Sequence, residues 1–184
     1  MKKVMLAVAI VCAAVCAQAA SVGWTLTAGT GLAGNKYMFF VDGQNGATLA
    51  AVTAALDAGT DVSAMSFGSG VVADNGVALV AAASSGKTLT NGASYTGFYV
   101  VFDSATPAAG AANYAVVAGA SGLTKAISAT AASVTFVGGN QSTALADASN
   151  WKSFGGGGGD VPEPTSGLLL LIGGAMLALR RKQK

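Results

Sequence analysis

The chain has 184 residues, of which 52% are apolar, 10% are charged and none is histidine. This length favours one domain over two, and the low charge argues against a nucleic-acid binder and against a charged, disordered tail protein. The overall composition averages over different parts of the chain. Both ends are apolar and basic, whereas residues 21–164 carry four lysines against eight carboxylates. We therefore expect a mildly acidic body between two targeting segments.

The N-terminus has the pattern of a secretory signal peptide. Two lysines precede an apolar run of 13 residues, Val4 to Cys16, which is short for a membrane span of about 20 residues. Ala17 and Ala19 place small side chains at the two positions that determine cleavage. We predict a signal peptide over residues 1–19, with cleavage after Ala19. The secretion machinery would then export the body across the inner membrane.

Both cysteines of the chain, Cys12 and Cys16, lie in this apolar run. A lipoprotein would acylate one of them, but each follows a valine rather than a small residue. Once the segment is removed, the mature chain has no cysteine and cannot use the disulfides that an oxidising compartment permits. Its stability must come from strand pairing and packing.

The C-terminus combines a tether, an extended motif and an apolar helix. Five consecutive glycines indicate a flexible linker over residues 155–160. The two prolines of Val161-Pro162-Glu163-Pro164 then favour an extended backbone. The apolar segment from Thr165 to Leu179 would span roughly 22 Å as a helix, and snorkelling of the basic residues after it makes up the difference from the hydrocarbon core. Those residues, Arg180, Arg181 and Lys182, should stay on the cytoplasmic side.

In order, spacing and position, these residues resemble the PEP-CTERM sorting signal of bacterial exported proteins, over about 24 of the 184 residues. The resemblance implies that an exosortase, a membrane-embedded processing enzyme, recognises Pro162, Glu163 and Pro164. It also implies that the C-terminal basic cluster is a stop-transfer element and that residues 161–184 anchor the protein only transiently. The body would then pass to the cell envelope or the extracellular matrix. The alternative is an unprocessed tail anchor with an incidental Pro-Glu-Pro.

The body, residues 20–154, contains short runs rich in Val, Phe and Tyr that are bounded by turn residues, and such runs predict β-strands. The predicted strands are Trp24–Thr27, Tyr37–Val41, Val77–Ala83, Phe98–Phe102, Tyr114–Ala118 and Val134–Val137. Two of them, 37–41 and 98–102, are apolar on both alternating faces, which predicts central strands covered on both sides. Asp-Gly and Asn-Gly pairs between the runs indicate turns.

One segment has helical rather than strand periodicity. From Thr48 to Ala58, the residues Leu49, Val52 and Leu56 recur at three- and four-residue spacing, and Gly59 is placed as a C-cap. We predict a helix of about three turns lying across the sheet. The predicted fold is therefore mainly β, an antiparallel sandwich or bent sheet with one short helix.

The body offers little chemistry. It has no His, Cys, Arg or Glu, which excludes Ser-His-Asp and Cys-His catalysis, zinc sites and arginine clamps on phosphate. The open alternatives are an aspartate pair, or a calcium site using Asp57 with Asp61 or Asp42 with Asn45. Residues 29–34 match G-x-G-x-x-G, but a strand follows, so we interpret them as a hairpin loop rather than a dinucleotide site.

These observations favour a non-enzymatic structural protein of the envelope or matrix, with no cofactor, no metal and no nucleic-acid partner. The alternative is an extracellular binding module, adhesin-like or specific for carbohydrate. In that case Trp24, Trp151 and the tyrosines would cluster on an exposed face and stack against an extracellular polysaccharide.

Overall fold

The computed structural model describes residues 19–156. The expectations for the signal peptide before Ala19, for the rest of the glycine linker and for the whole tail from Val161 lie outside these residues. The described chain folds into two sheets with a few short helices. The prediction of a mainly β fold is confirmed.

The strands and helices have the following bounds. The strands are β1 (Ala19–Thr27), β2 (Lys36–Val41), β3 (Gly68–Val71), β4 (Val77–Val80), β5 (Thr88–Thr90), β6 (Ser94–Phe102), β7 (Asn113–Val117), β8 (Thr124–Ala126), β9 (Ser133–Asn140) and β10 (Trp151–Ser153). The α-helices are α1 (Leu49–Asp57), α2 (Ala82–Ser85) and α3 (Ser142–Ala146), and 3-10 turns occur at Thr30–Leu32, Ser63–Met65, Ser121–Leu123 and Ala148–Asn150.

Every predicted strand region contains a strand, but two details of the prediction are wrong. The region Val77–Ala83 ends as a strand at Val80, and Ala82–Ser85 forms a single helical turn that Gly86 closes with a φ of 65°. The described chain also has α2 and α3 besides the one predicted helix. Each of these two is about one turn long, so neither shows the repeating apolar spacing from which a helix is recognised.

The first sheet is built around β1. Strand β9 pairs with one edge of β1 in parallel, with Phe136 opposite Trp24. Strands β5 and β4 follow each other along the other edge, both antiparallel to β1. The parallel pair departs from the antiparallel prediction. A parallel pair needs a long crossover, and here every strand of the second sheet except β10 lies in the chain between β1 and β9.

The second sheet is antiparallel throughout, in the order β10-β7-β6-β2-β3, and β8 pairs with the first residues of β6. Strands β2 and β6 are neighbours at its centre, with Tyr37 opposite Val101. Their side chains are buried on both faces of the sheet. The prediction that these two strands are central and doubly covered is confirmed.

The two sheets pack face to face around Phe39. Its ring lies 5.2 Å from the Trp24 ring, 4.9 Å from the Tyr99 ring and 5.3 Å from the Phe136 ring, measured between centroids. Trp24 and Phe136 come from the first sheet, whereas Phe39 and Tyr99 come from the second. This aromatic cluster therefore joins the two layers.

Helix α1 covers the other face of the second sheet. Val52 and Leu56 are fully buried there, in a cluster with Phe40, Phe98 and Phe102 from β2 and β6. The predicted apolar stripe is correct at these two positions. It is wrong at Leu49, which is 42% exposed.

The ends of α1 follow from the sequence. At its start the Thr48 side chain accepts a hydrogen bond of 3.1 Å from the Ala51 amide, which satisfies one of the free donors of the first turn. At its end Gly59 has a φ of 72°. The Gly59 amide donates to Leu56 and the Thr60 amide donates to Ala55, which is the Schellman arrangement. The prediction of Gly59 as the C-cap glycine is confirmed.

Candidate functional site

Among the predicted targeting residues, the structure describes only Ala19. It is the first residue of β1 and lies opposite Thr90 of β5. Ala17, the Val161–Pro164 motif and the basic cluster of Arg180, Arg181 and Lys182 lie outside the described residues. Between residues 19 and 156, no helix is long and apolar enough to cross a membrane.

The glycine motif of residues 29–34 is a loop, as predicted, but it is not a hairpin. It connects β1 of the first sheet to β2 of the second, through a 3-10 turn at Thr30–Leu32. The amides of Ala28 and Gly29 both donate to the carbonyl of Gly76. A dinucleotide site requires a helix that opens at the glycines, whereas these glycines lead into a strand.

Three aspartates accept hydrogen bonds within turns or at strand ends. The carboxylate of Asp61 accepts from the amide and hydroxyl of Ser63, and Asp147 accepts in the same way from Ser149. These hydrogen bonds favour the ionised form and so lower the pKa of both carboxyls. Asp103 binds the amide and side chain of Asn113. These carboxylates therefore stabilise local backbone structure.

Asp57 makes a different contact, with Tyr114 of β7. The tyrosine hydroxyl donates to its Oδ1 at 2.5 Å. Burial raises the pKa of Tyr114, and the adjacent carboxylate raises it further. The two aspartates proposed as calcium ligands therefore have different partners, Asp57 binding Tyr114 and Asp61 binding Ser63. Within residues 19–156, no three His, Cys, Asp or Glu side chains come together as a metal site.

A carbohydrate-binding surface requires exposed aromatic side chains, but most of the aromatic side chains considered for it lie in the core. Trp24 is buried between the sheets, as are Tyr37 and Tyr99, and Tyr114 is buried on the α1 side. Trp151 is half-buried, and its indole nitrogen donates to the Leu145 carbonyl at 2.9 Å. Trp24 therefore packs inside the core, and Trp151 packs against the same core from a partly buried position.

A groove of about 470 Å³ lies between α1, β7, α3 and the start of β10. Leu49 and Thr53 of α1 form one wall, and Leu145 of α3 contributes to the other. Lys152 is the one charged side chain among the described residues that line it. The groove cannot be recognised from the sequence, because nothing in the pattern of 114–118 shows how far a neighbouring strand extends.

The floor of the groove is an open strand edge. Strand β10 pairs with Asn113–Ala115 of β7, so within residues 19–156 no strand lies beside Val116 on that edge. The Asp103 amide donates to the Asn113 carbonyl, so the peptide groups of Asn113 face β6. Successive residues of a strand point their N–H and C=O groups to opposite edges. The N–H and C=O groups of Val116 and Ala118 therefore face the groove. Such an edge can bind an extended peptide through main-chain hydrogen bonds.

A second cavity of about 320 Å³ lies at the other end of α1. Phe102 and Phe154 contribute its apolar floor, and Lys36 and Asp61 line it as charged residues. Asp61 already accepts hydrogen bonds from Ser63. This cavity therefore offers a ligand fewer free hydrogen-bonding groups than the groove at β7.

Comparison with known proteins adds no relative to these observations. No protein-family model, curated protein or solved structure matches this chain.

Proposed function

We propose that the chain is an exported protein of the cell envelope or extracellular matrix, sorted and processed through its C-terminal tail, with a structural body that performs no catalysis. The observation that carries the proposal is the order of three features at the C-terminus. Val161-Pro162-Glu163-Pro164 comes first, the apolar run 168–179 follows, and the basic cluster 180–182 comes near the end. Their order and position resemble the PEP-CTERM sorting signal.

The topology expected from each end supports the proposal. The signal peptide of residues 1–19 would send the body through the secretion machinery to the outside of the inner membrane. The basic cluster at 180–182 would remain in the cytoplasm, which leaves the body on the outer face of the anchor. Both ends therefore predict the same orientation, and an exosortase-type enzyme would meet the Pro-Glu-Pro motif beside the membrane.

The nature of the body also supports a structural role. Its two apolar clusters lie on both faces of the second sheet, and no cysteine occurs after Cys16. A body of this kind folds without disulfide chemistry, so it can fold on the outer side of the membrane whatever the oxidant there. Several of its carboxylates serve turns and strand ends rather than converging on one another.

The experiment compares two sets of alanine substitutions in a bacterium that has an exosortase. The test variant combines Pro162→Ala, Glu163→Ala and Pro164→Ala, and the matched control combines Thr165→Ala with Ser166→Ala directly after the motif. Mass spectrometry of each cell fraction then locates the mature ends. We expect the unaltered chain and the control to lose the hydrophobic segment and reach the envelope or medium. The test variant should keep residues 165–184 and stay in the inner membrane.

Two results would contradict the proposal. Processing and delivery of the test variant at the unaltered rate would show that the motif is incidental. An unaltered chain that still ends at Lys184 in the inner membrane would show a permanent tail anchor. The same spectra test the N-terminal prediction, because cleavage after Ala19 leaves Ala20 as the first residue.

A further inference from the structure

The body contains three Asn-Gly pairs, each of which lies in a turn between regular elements: Asn45-Gly46, Asn75-Gly76 and Asn91-Gly92. Such a pair can react within itself, because glycine has no side chain to keep its backbone nitrogen away from the carboxamide carbon of the asparagine before it. The three pairs are equivalent as dipeptides. The structure distinguishes them by the hydrogen bonds that each glycine amide makes.

The second pair is held by its glycine. The Gly76 amide donates to the Ala73 carbonyl at 2.8 Å, and the Gly76 carbonyl accepts from the amides of Ala28 and Gly29. The residue is also buried, and its Cα lies so close to the neighbouring loop that an added Cβ would be 2.5 Å from the carbonyl carbon of Gly29. This peptide group cannot rotate without breaking several contacts.

The third pair is held by both of its residues. The Gly92 amide donates to the Ile127 carbonyl at 2.8 Å. The side-chain nitrogen of Asn91 donates to the carbonyls of Ala129 and Ala131. The carboxamide and the nitrogen that would attack it are therefore each bonded to a distant part of the chain, and these bonds must open before the two can meet.

The first pair lacks such restraints. Residues 44–47 form a type I′ turn, with φ values of 52° at Asn45 and 74° at Gly46 and a hydrogen bond from the Ala47 amide to the Gln44 carbonyl. Both central residues are exposed. Among the described residues, neither the Asn45 carbonyl nor the Gly46 amide has a hydrogen-bond partner. The peptide group between them can therefore rotate, and only the 3.3 Å bond from the Asn45 side chain to the Ser66 carbonyl restrains the carboxamide.

From these contrasts we propose that Asn45 is a self-modification site, at which the Gly46 nitrogen attacks Cγ of Asn45. The new N–Cγ bond forms as the Cγ–Nδ2 bond breaks, and Nδ2 leaves as ammonia with the bonding electron pair while the Gly46 nitrogen gives up its proton. Water then opens the resulting succinimide ring at either carbonyl. One opening gives aspartate, and the other gives isoaspartate, in which the main chain runs through Cγ. Nothing is oxidised or reduced, and water is the only co-reactant.

The modification changes the approach to α1. Both products carry a carboxylate where the side-chain amide donated to Ser66, so that hydrogen bond is lost. Isoaspartate also adds a carbon to the main chain inside the turn, which disturbs the bonds from Ala47 to Gln44 and from Gly43 to Ala47. The next residue, Thr48, caps the helix. The reaction needs neither an enzyme nor the sorting tail, so it goes beyond the proposed function and accumulates with the age of the protein.

The first experiment compares the three pairs within one molecule. The full chain, purified in detergent micelles, is incubated in mildly alkaline buffer, and peptide mass spectrometry follows the replacement of NH by O at each asparagine. We expect Asn45 to react about tenfold faster than Asn75 or Asn91, because only those two pairs must first break a glycine hydrogen bond. In urea the three rates should become similar. Equal rates in the folded chain, or an unchanged spread in urea, would overturn the proposal.

The second experiment tests the structural consequence, with Asn45→Gln as the control because the longer side chain would have to close a larger and slower-forming ring. Hydrogen exchange at the amides of Gly43 and Ala47 is measured before and after ageing of each protein. We expect exchange to accelerate several-fold on ageing of the unaltered chain and to stay constant in the variant. Equal acceleration in both proteins, or constant exchange in an unaltered chain that has reacted, would contradict the proposed loosening of the turn.

Discussion

The hydroxyl of Tyr114 donates a hydrogen bond of 2.5 Å to Oδ1 of Asp57, which ties the last residue of α1 to the second residue of β7. The two residues are 57 positions apart in the chain. Leu56, one residue earlier, is buried against the same sheet. The polar contact and the apolar packing therefore hold the same end of the helix, and Tyr114 itself lines the groove at β7.

The substitution Tyr114→Phe tests this tie. It removes the donor and leaves a partly buried carboxylate without it, so we expect a loss of about 1.5–3 kcal/mol in the free energy of unfolding. Urea denaturation followed by tryptophan fluorescence measures the loss. Tyr95→Phe is the matched control, since Tyr95 is only half-buried, and its effect should stay within about 0.5 kcal/mol. Equal effects of the two substitutions would show that the hydrogen bond adds nothing.

The buried tyrosines predict a loss of stability in alkali. Burial raises the pKa of Tyr37, Tyr99 and Tyr114 in the folded chain, whereas the unfolded chain keeps a value near 10. Below pH 10 both states are protonated and stability is unaffected. Above it the unfolded state ionises first, so the free energy of unfolding falls as pH rises toward the folded-state values. Urea midpoints at pH 8, 10 and 11 should therefore decrease between the last two.

A substitution of one of these tyrosines identifies its share of the alkaline effect. Tyr99→Phe removes a group that titrates only after unfolding, so the variant should lose less stability between pH 10 and 11 than the unaltered chain. The comparison uses the change with pH within each protein, which removes the cost of the substitution itself. An identical pH dependence in both would show that Tyr99 does not contribute.

The aromatic cluster between the sheets predicts a large effect at Phe39. This side chain is fully buried and contacts the rings of Trp24 from the first sheet and Tyr99 from the second, so Phe39→Ala should lower the free energy of unfolding by about 3–5 kcal/mol. The control is Leu79→Ala, because Leu79 is 62% exposed and should change stability by less than about 0.5 kcal/mol. Guanidinium denaturation of both variants provides the measurement. A loss below 1 kcal/mol at Phe39 would contradict its central place in the core.

Two glycines of ordinary backbone conformation make a matched pair for steric effects. A Cβ on Gly23 would lie 2.6 Å from the Ala82 backbone nitrogen, because the start of α2 crosses directly over β1 at this point. A Cβ on Gly31 would meet no atom within 4 Å. Gly23→Ala should therefore cost about 1–3 kcal/mol, whereas Gly31→Ala should be nearly neutral. The melting temperatures of the two variants test the difference, and similar values would disprove the close crossing.

The sequence alone predicted those parts of the fold that depend on local pattern. Strands β2 and β6 were recognisable as central because their residues are apolar on both faces. Helix α1 was recognisable from the spacing of Val52 and Leu56 and from Gly59 at its end. These signals depend on periods of two or about four residues and on backbone conformations that favour glycine, so they can be read from a few neighbouring positions.

Strand β3 shows what local pattern could not predict. Its sequence, Gly-Ser-Gly-Val, argues against a strand, yet both glycines are required by distant residues. A Cβ at Gly68 would lie 2.4 Å from the Trp24 ring, and one at Gly70 would lie 2.9 Å from the Tyr37 hydroxyl. The rings occupy the space that side chains would take. Such a strand becomes recognisable only when its neighbours are in place.

The two targeting segments could be predicted from the sequence, whereas the groove at β7 could not. Composition alone distinguished the two basic, apolar ends from an acidic body that has no cysteine, histidine or arginine. Charges and residue types can be counted without a folded structure. Only the tertiary structure decided that β10 stops short of Val116 and that Leu49 lies at a groove wall. These features depend on the relative lengths of strands from distant parts of the chain, and no local pattern records that length.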